Sequence, residues 1–273
     1  MVGAVVLSAF TLLSGTGERA AQPPLFTYNR NRPLALKLGK AVTTGGVVRQ
    51  RFTFDAGHGR KGGYWTHPAG TGPWAVVLFS PGSDGTATSQ LPDADRLAGK
   101  GIASLTLAPP AAPLTCRAAA DVRSFVNYVV GRRRALDVLP KLRGADTQRV
   151  AAVGFSLGAA VTAALAGVDH RLRGAAIQSS RGHLSTYLGA YCKSAAYRRA
   201  YSVLDAVHYV SRAAPASLLF ENGRRDPISP AGDVTALVSA ASEPKEQLLY
   251  DAGHELNERA RSDLGDWLAK LLR

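Results

Sequence analysis

Residues 149–168 read RVAAVGFSLGAAVTAALAGV. The first part is an apolar run of the kind that forms a strand buried on both faces. The last part is almost all Ala, Val, Leu and Gly, as in a helix packed closely against other elements. Between them lies Gly154-Phe155-Ser156-Leu157-Gly158, so the chain passes from strand to helix within about one residue. A doubly buried strand feeding a helix directly is the unit of a parallel sheet covered by helices. This stretch therefore predicts an α/β chain.

The rest of the sequence keeps that rhythm. Strand-like runs occur at residues 74–79 (WAVVLF), 102–107 (IASLTL), 174–178 (GAAIQ), 216–222 (ASLLFEN) and 246–251 (EQLLYD). Helix-like segments lie between them at 92–100, 117–139 and 157–166, with a closing helix at 256–272. In the second of these, Val122, Phe125, Val126, Val129 and Val130 recur at helical spacing. Ahead of the repeat, residues 47–54 (VVRQRFTF) and 64–68 read as two strands joined by DAGHGRKGG, a loop with four glycines in nine residues. Residues 22–46 have little periodicity and read as an extended lead-in. Residues 181–212 are longer than one crossover helix requires and carry Tyr187, Tyr191, Tyr197, Tyr201 and Tyr209. They read as a small helical insertion, whose tyrosines either pack it onto the body or shape a pocket, with packing the commoner outcome. The expected organisation is a segment 1–22, then one domain over 23–273 with the insertion at about 181–212.

Gly154-Phe155-Ser156-Leu157-Gly158 also has the G-x-S-x-G spacing of a nucleophile elbow. In a chain with 28 glycines that spacing carries little weight alone. Its position between a buried strand and a helix carries the argument. Ser156 would sit on a strained turn, and Gly154 and Gly158 would leave room for it. The helix N-terminus would point N–H groups at developing negative charge. The plainer alternative is a serine helix cap.

A serine hydroxyl needs a base, and in this architecture an acid and then a histidine follow the serine along the chain. The tetrapeptide DAGH occurs twice, ending at His58 and at His254. His58 precedes Ser156 and lies in the hairpin loop, so it receives no role. His254 follows a strand and precedes the last helix, at the carboxyl end of the sheet where sites of open α/β sheets collect. His170 lies in a connection on the opposite side. Asp226, in the GRRDPIS loop just past a strand, is the candidate acid. Glu221, Asp233 and Asp251 are the alternatives weighed against it. For an oxyanion hole, the backbone N–H of Leu157 and that of Ser83, in the SPGSDGT loop after residues 74–79, are the candidate donors.

With these residues placed, the chain from about residue 70 onward resembles the α/β-hydrolase superfamily. It is most similar to the dienelactone-hydrolase-like group and its serine esterase relatives, through GFSLG, GRRDPIS and AGHEL. The resemblance implies a mostly parallel twisted sheet with helices on both faces. It also implies a carboxylic ester hydrolase working through an acyl-enzyme without metal or cofactor, on a small-molecule or lipid-like ester. Thioesterase, peptidase and acyltransferase chemistry would use the same residues, and a non-catalytic binding module is the alternative from another class. Two departures stand out. Dienelactone hydrolases carry a cysteine nucleophile where this chain has Ser156. Many relatives have His-Gly where this chain has Pro81-Gly82, a form that resembles the loop of polyester-hydrolysing and cutinase-like enzymes.

The net charge is +13, which raises nucleic acid as a partner. The clusters Arg132-Arg133-Arg134, Arg198-Arg199 and Arg224-Arg225 are far apart and lack interleaved aromatics, so they read as solvated surface rather than a nucleic-acid face. Cys116 and Cys192 fit no metal spacing and read as one disulfide in an exported protein or as two free thiols, with a lean to free thiols. The apolar run at residues 2–13 is too short to span a bilayer. It resembles the core of a secretory signal but has no preceding Lys or Arg. Secreted and cytoplasmic locations therefore both stay open.

Overall fold

The computed structural model describes residues 24–109 and 114–273. The segment 1–22 with its signal-like run lies outside the described residues. After a 3-10 turn at Pro24–Phe26 come strands β1 (Lys37–Thr44), β2 (Val47–Asp55), β3 (Arg60–Pro68) and β4 (Trp74–Ser80). Helix α1 (Leu91–Gly99), strand β5 (Ala103–Leu107), helix α2 (Ala118–Val138), strand β6 (Ala145–Phe155), helix α3 (Leu157–Val168) and strand β7 (Gly174–Gln178) follow. The insertion holds α4 (Leu184–Tyr191), α5 (Ala195–Tyr201) and α6 (Val207–Val210). The chain ends with β8 (Ser217–Gly223), α7 (Ala231–Ala240), β9 (Lys245–Tyr250) and α8 (Glu258–Leu271).

The strands form one sheet in the order β1-β2-β3-β5-β4-β6-β7-β8-β9. The first three pair antiparallel, as does β3 with β5, and every pair from β5 to β9 is parallel. Alternation along β4 shows why both faces are covered. Val76 and Leu78 join a core with Leu136 of α2 and Ala159 and Ala163 of α3. Ala75, Val77 and Phe79 join a second core with Leu97 of α1 and Leu264 and Leu268 of α8. The insertion closes a third core over α2 and α3, in which Tyr197, Tyr201 and Tyr209 are buried.

Three expectations change here. Residues 37–44, expected within an extended lead-in, are a paired strand, although all eight are exposed. An edge strand without a buried face has no hydrophobic alternation to betray it, and only its pairing with β2 defines it. The Arg132-Arg133-Arg134 triplet is not solvated surface: the three side chains are 3%, 5% and 1% exposed. Helix α2 is enclosed between the sheet, α3 and the segment before β1, so each guanidinium is used internally. Arg133 pairs with Asp169 at 3.0 Å and donates to the Phe26 carbonyl. Arg134 donates to the carbonyls of Pro33 and Asp55. Third, Cys116 and Cys192 are not free thiols. They form a disulfide with Cα atoms 5.4 Å apart, tying the segment before α2 to the end of α4.

After β4 the chain crosses to β5 on one side, and after β5 it crosses back to β6 on the other. The loops leaving β4 and β6 therefore open away from each other at a switch point, where a crevice forms at the carboxyl edge of the sheet.

Candidate active site

Ser156 is placed at that crevice by the turn from β6 into α3. Its backbone has φ 53° and ψ −119°, a conformation that an L-residue holds only at a cost of about 1–3 kcal/mol. Surrounding contacts hold it there. The Ser156 N–H donates to the Gln178 carbonyl at 3.0 Å, and its own carbonyl accepts from Ala159 and Ala160 in the first turn of α3. The flanking glycines are needed for space. A Cβ on Gly154 would collide with the Gly158 carbonyl, and one on Gly158 with the Ser80 carbonyl.

His254 lies in the loop between β9 and α8. Its Nε2 is 2.9 Å from Ser156 Oγ, and its Nδ1 is 2.8 Å from Asp226 Oδ2. Asp226, in the loop after β8, is nearly buried. Its other oxygen, Oδ1, accepts from the N–H groups of Ile228 and Ser229 at 2.8 and 3.2 Å. One oxygen is thus fixed by the turn and the other faces the imidazole. A carboxylate at Nδ1 keeps the ring proton on that nitrogen and leaves Nε2 free to accept from the serine hydroxyl. The ring also packs against Phe155 with centroids 5.2 Å apart. Ser179 was not singled out from the sequence. Its hydroxyl donates to the His254 carbonyl at 2.5 Å while its own carbonyl accepts from Ser229. It links the histidine loop to the acid loop, and no motif marks it.

The other acids do different work. Asp233 bonds His183, and exposed Asp251 pairs with Arg225. Glu221 is fully buried in β8, held by Gln178 Nε2 and by the hydroxyl of Tyr250. Burial, which penalises its charged form, pushes its carboxyl up to about 7. His58 and His170 are exposed.

The Ser80-Pro81-Gly82-Ser83 loop backs onto the nucleophile: a Cβ added to Gly82 would lie 3.5 Å from that of Ser156. Two residues of α2 hold the loop. Tyr128 donates from its hydroxyl to the Pro81 carbonyl at 2.8 Å. Arg132 donates to Ser80 Oγ at 2.9 Å and to the Leu107 carbonyl at 3.0 Å, while stacking on the Tyr128 ring. Neither role was legible from the sequence.

Ser83, Ser156 and Leu157 share a cavity of about 300 Å³ whose remaining wall comes mainly from α2, α4 and the loop after β7. Leu114, Tyr187 and Tyr191 line it beside the disulfide, so the insertion's tyrosines divide between packing and pocket. Its size is at the lower end of the range for small-molecule sites. Among the described residues no group of three or more His, Cys, Asp or Glu side chains could hold a metal ion. Among them, too, no helix is long and apolar enough to cross a membrane.

Residues 36–188, more than half of the chain, match the family described as Esterase FrsA-like. The chain belongs to this family. A curated relative, Esterase FrsA from Escherichia coli O157:H7, is 26% identical over 253 residues. That alignment takes in 83% of the chain but only 60% of the relative, so the chain spans under two thirds of that protein's length. Among solved structures, an acetyl xylan esterase from Paenibacillus sp. R4 superimposes with a TM-score of 0.74 at 20% identity, over 88% of this chain and 89% of that one. A glucuronoyl esterase from Solibacter usitatus gives 0.70 at 13% identity, over 90% and 88%. At such identities these two likenesses speak to the fold, and the fold is that of the α/β-hydrolases. The chain thus has the fold that the sequence motifs imply.

Proposed function

We propose that this FrsA-like protein hydrolyses carboxylic esters through Ser156, His254 and Asp226. The observation that carries the reading is the unbroken relay from Asp226 Oδ2 through His254 to Ser156 Oγ on a strained strand-to-helix turn. His254 Nε2 takes the hydroxyl proton as Ser156 Oγ attacks the ester carbonyl carbon. Asp226 stabilises the imidazolium that forms. Backbone N–H groups of Leu157 and Ser83 receive the oxyanion. Collapse of the tetrahedral intermediate expels the alcohol, which leaves with the proton held by His254. Water then gives its proton to His254 and attacks the acyl-enzyme, releasing the acid and restoring Ser156.

The size and apolar lining of the cavity suit a small ester with one compact acyl group. The disulfide fits residence in an oxidising compartment, which favours export over the cytoplasm. The test is labelling by a fluorophosphonate together with hydrolysis of 4-nitrophenyl hexanoate. Wild type should do both, and Ser156→Ala and His254→Ala neither. An unlabelled, correctly folded wild type, or an active Ser156→Ala variant, would overturn the reading.

A further inference from the structure

The cavity beside Ser156 is not uniformly apolar, because Arg181 forms part of its wall. Arg181 follows β7 in the loop that leads to α4. It is only 9% exposed, yet among the described residues no acceptor takes a hydrogen bond from its guanidinium. Its Nε is buried and forms an ion pair with Asp233 Oδ2 at 3.6 Å, too long for a hydrogen bond. His183 takes the other oxygen of Asp233, Oδ1, through Nδ1 at 2.7 Å and the backbone N–H at 3.1 Å, so Oδ2 is the one carboxylate oxygen that faces the guanidinium. The guanidinium lies over the Tyr187 ring, 4.9 Å from its centroid, which holds its plane at the cavity wall.

The contrast with the molecule's other buried arginines is informative. Arg132, Arg133 and Arg134 each place nitrogens on carbonyl, hydroxyl or carboxylate oxygens, although Nη1 of Arg134 also lacks a hydrogen-bond partner. An arginine offers five N–H donors, and burying them without acceptors is unfavourable unless a ligand supplies them. The carboxylate of Asp121, also in the cavity wall, is not that supplier. It is taken up by the N–H and hydroxyl of Thr115 and by the hydroxyl of Tyr197.

The cavity also indicates which half of an ester it receives. Its lining includes Ser156 and the proposed oxyanion donors but not His254, the group that protonates the departing alcohol. An alcohol protonated by His254 would leave on the side of that residue, which leaves the cavity for the acyl group.

We infer that this site prefers esters whose acyl chain ends in a carboxylate, half-esters of short dicarboxylic acids, with Arg181 receiving that carboxylate through a planar fork backed by Tyr187. The inference rests on the serine-hydrolase reading above. The excess positive charge of the chain draws such anions toward the site.

The experiment compares kcat/KM for mono(4-nitrophenyl) adipate and 4-nitrophenyl hexanoate, two six-carbon acyl groups differing in one terminal carboxylate. Wild type should favour the adipate ester, and Arg181→Met should collapse the adipate-to-hexanoate ratio by about 10- to 100-fold, the range for a charge-assisted contact. Arg181→Lys should retain part of the ratio, since it keeps the charge and loses the fork. Should Arg181→Met fail to fold, wild type alone supplies a second readout. The adipate-to-hexanoate ratio should fall as ionic strength rises. A wild type that favours hexanoate, or a ratio unmoved by Arg181→Met and by salt, overturns the inference while leaving the hydrolase reading intact. Loss of hexanoate hydrolysis and of fluorophosphonate labelling in wild type would instead defeat the hydrolase reading.

Discussion

Arg132 donates from Nε to the hydroxyl of Ser80 at 2.9 Å, directly ahead of the turn that carries Ser83. Arg132 is buried, burial holds its guanidinium below the usual arginine range, and no carboxylate among the described residues pairs with it. A positive charge is thus kept behind the loop proposed to receive an oxyanion. Ser80→Ala would strip one donor of its acceptor in a dry site. The expected result is a loss of about 1.5–3 kcal/mol in urea unfolding together with a lower kcat.

Tyr128 acts on the same loop through one bond, from its hydroxyl to the Pro81 carbonyl. Tyr128→Phe keeps the ring, and with it the stacking against Arg132, and removes only that bond. We expect about 1 kcal/mol of lost stability and a fall in kcat with KM nearly unchanged, because the loop is proposed to position an oxyanion donor rather than the bound ester. A change confined to KM would argue against this role.

Asp226→Asn should fold normally, because an amide oxygen can still accept from Ile228 and Ser229 as Oδ1 does. Its amide nitrogen would face His254 Nδ1 and favour the wrong tautomer. Steady-state kinetics should show kcat reduced by about 10⁴, the effect of this change in triads of the same geometry.

Glu221 makes stability depend on pH. The single hydroxyl proton of Tyr250 faces both Glu221 Oε1 at 2.9 Å and Asp263 Oδ2 at 3.2 Å, so a protonated Glu221 completes the cluster. Its carboxyl is raised from 4.5 to about 7 by burial, so the folded state binds the proton more tightly than the unfolded state. The contribution is full below pH 4.5 and is lost as pH rises through about 7. The amount is about 3 kcal/mol. Glu221→Gln should flatten thermal stability across that window and be more stable than wild type at pH 8.

The disulfide closes a stretch of 76 residues. In the chain-entropy account such a loop contributes about 4.5 kcal/mol. Replacing both cysteines by serine should lower the unfolding midpoint accordingly. Because Leu114 and Tyr191 of the cavity wall flank the link, it should also raise KM for esters.

How much of this was legible in the sequence differs from element to element. Strands β4 to β8 could be read because burial on both faces leaves apolar runs, helix α2 because its spacing repeats, and the partly exposed edge strand β9 through its Leu248-Leu249-Tyr250 run. Strand β1 could not, since all of its residues are exposed. The order of Ser156, Asp226 and His254 singled out three residues that the structure holds within 2.9 Å of one another along a relay. The arginine triplet misled, because charge alone carries no information about whether a helix face meets water or a carbonyl.

By itself the sequence determined the α/β rhythm, the tight turn at Ser156 and the polar residues available to it, because strand burial, glycine spacing and chain order are local properties. Only the tertiary structure decided what the remaining polar groups do. It set Arg132 and Tyr128 behind the Ser80–Ser83 loop, Ser179 beneath His254, and Arg181 in the cavity wall beside Asp233. It also joined Cys116 to Cys192. The physical reason is that a buried donor, charge or thiol is defined by its partner. Those partners stand up to 107 residues away along the chain, as for Arg133 and the Phe26 carbonyl, and adjoin only when the sheet is assembled.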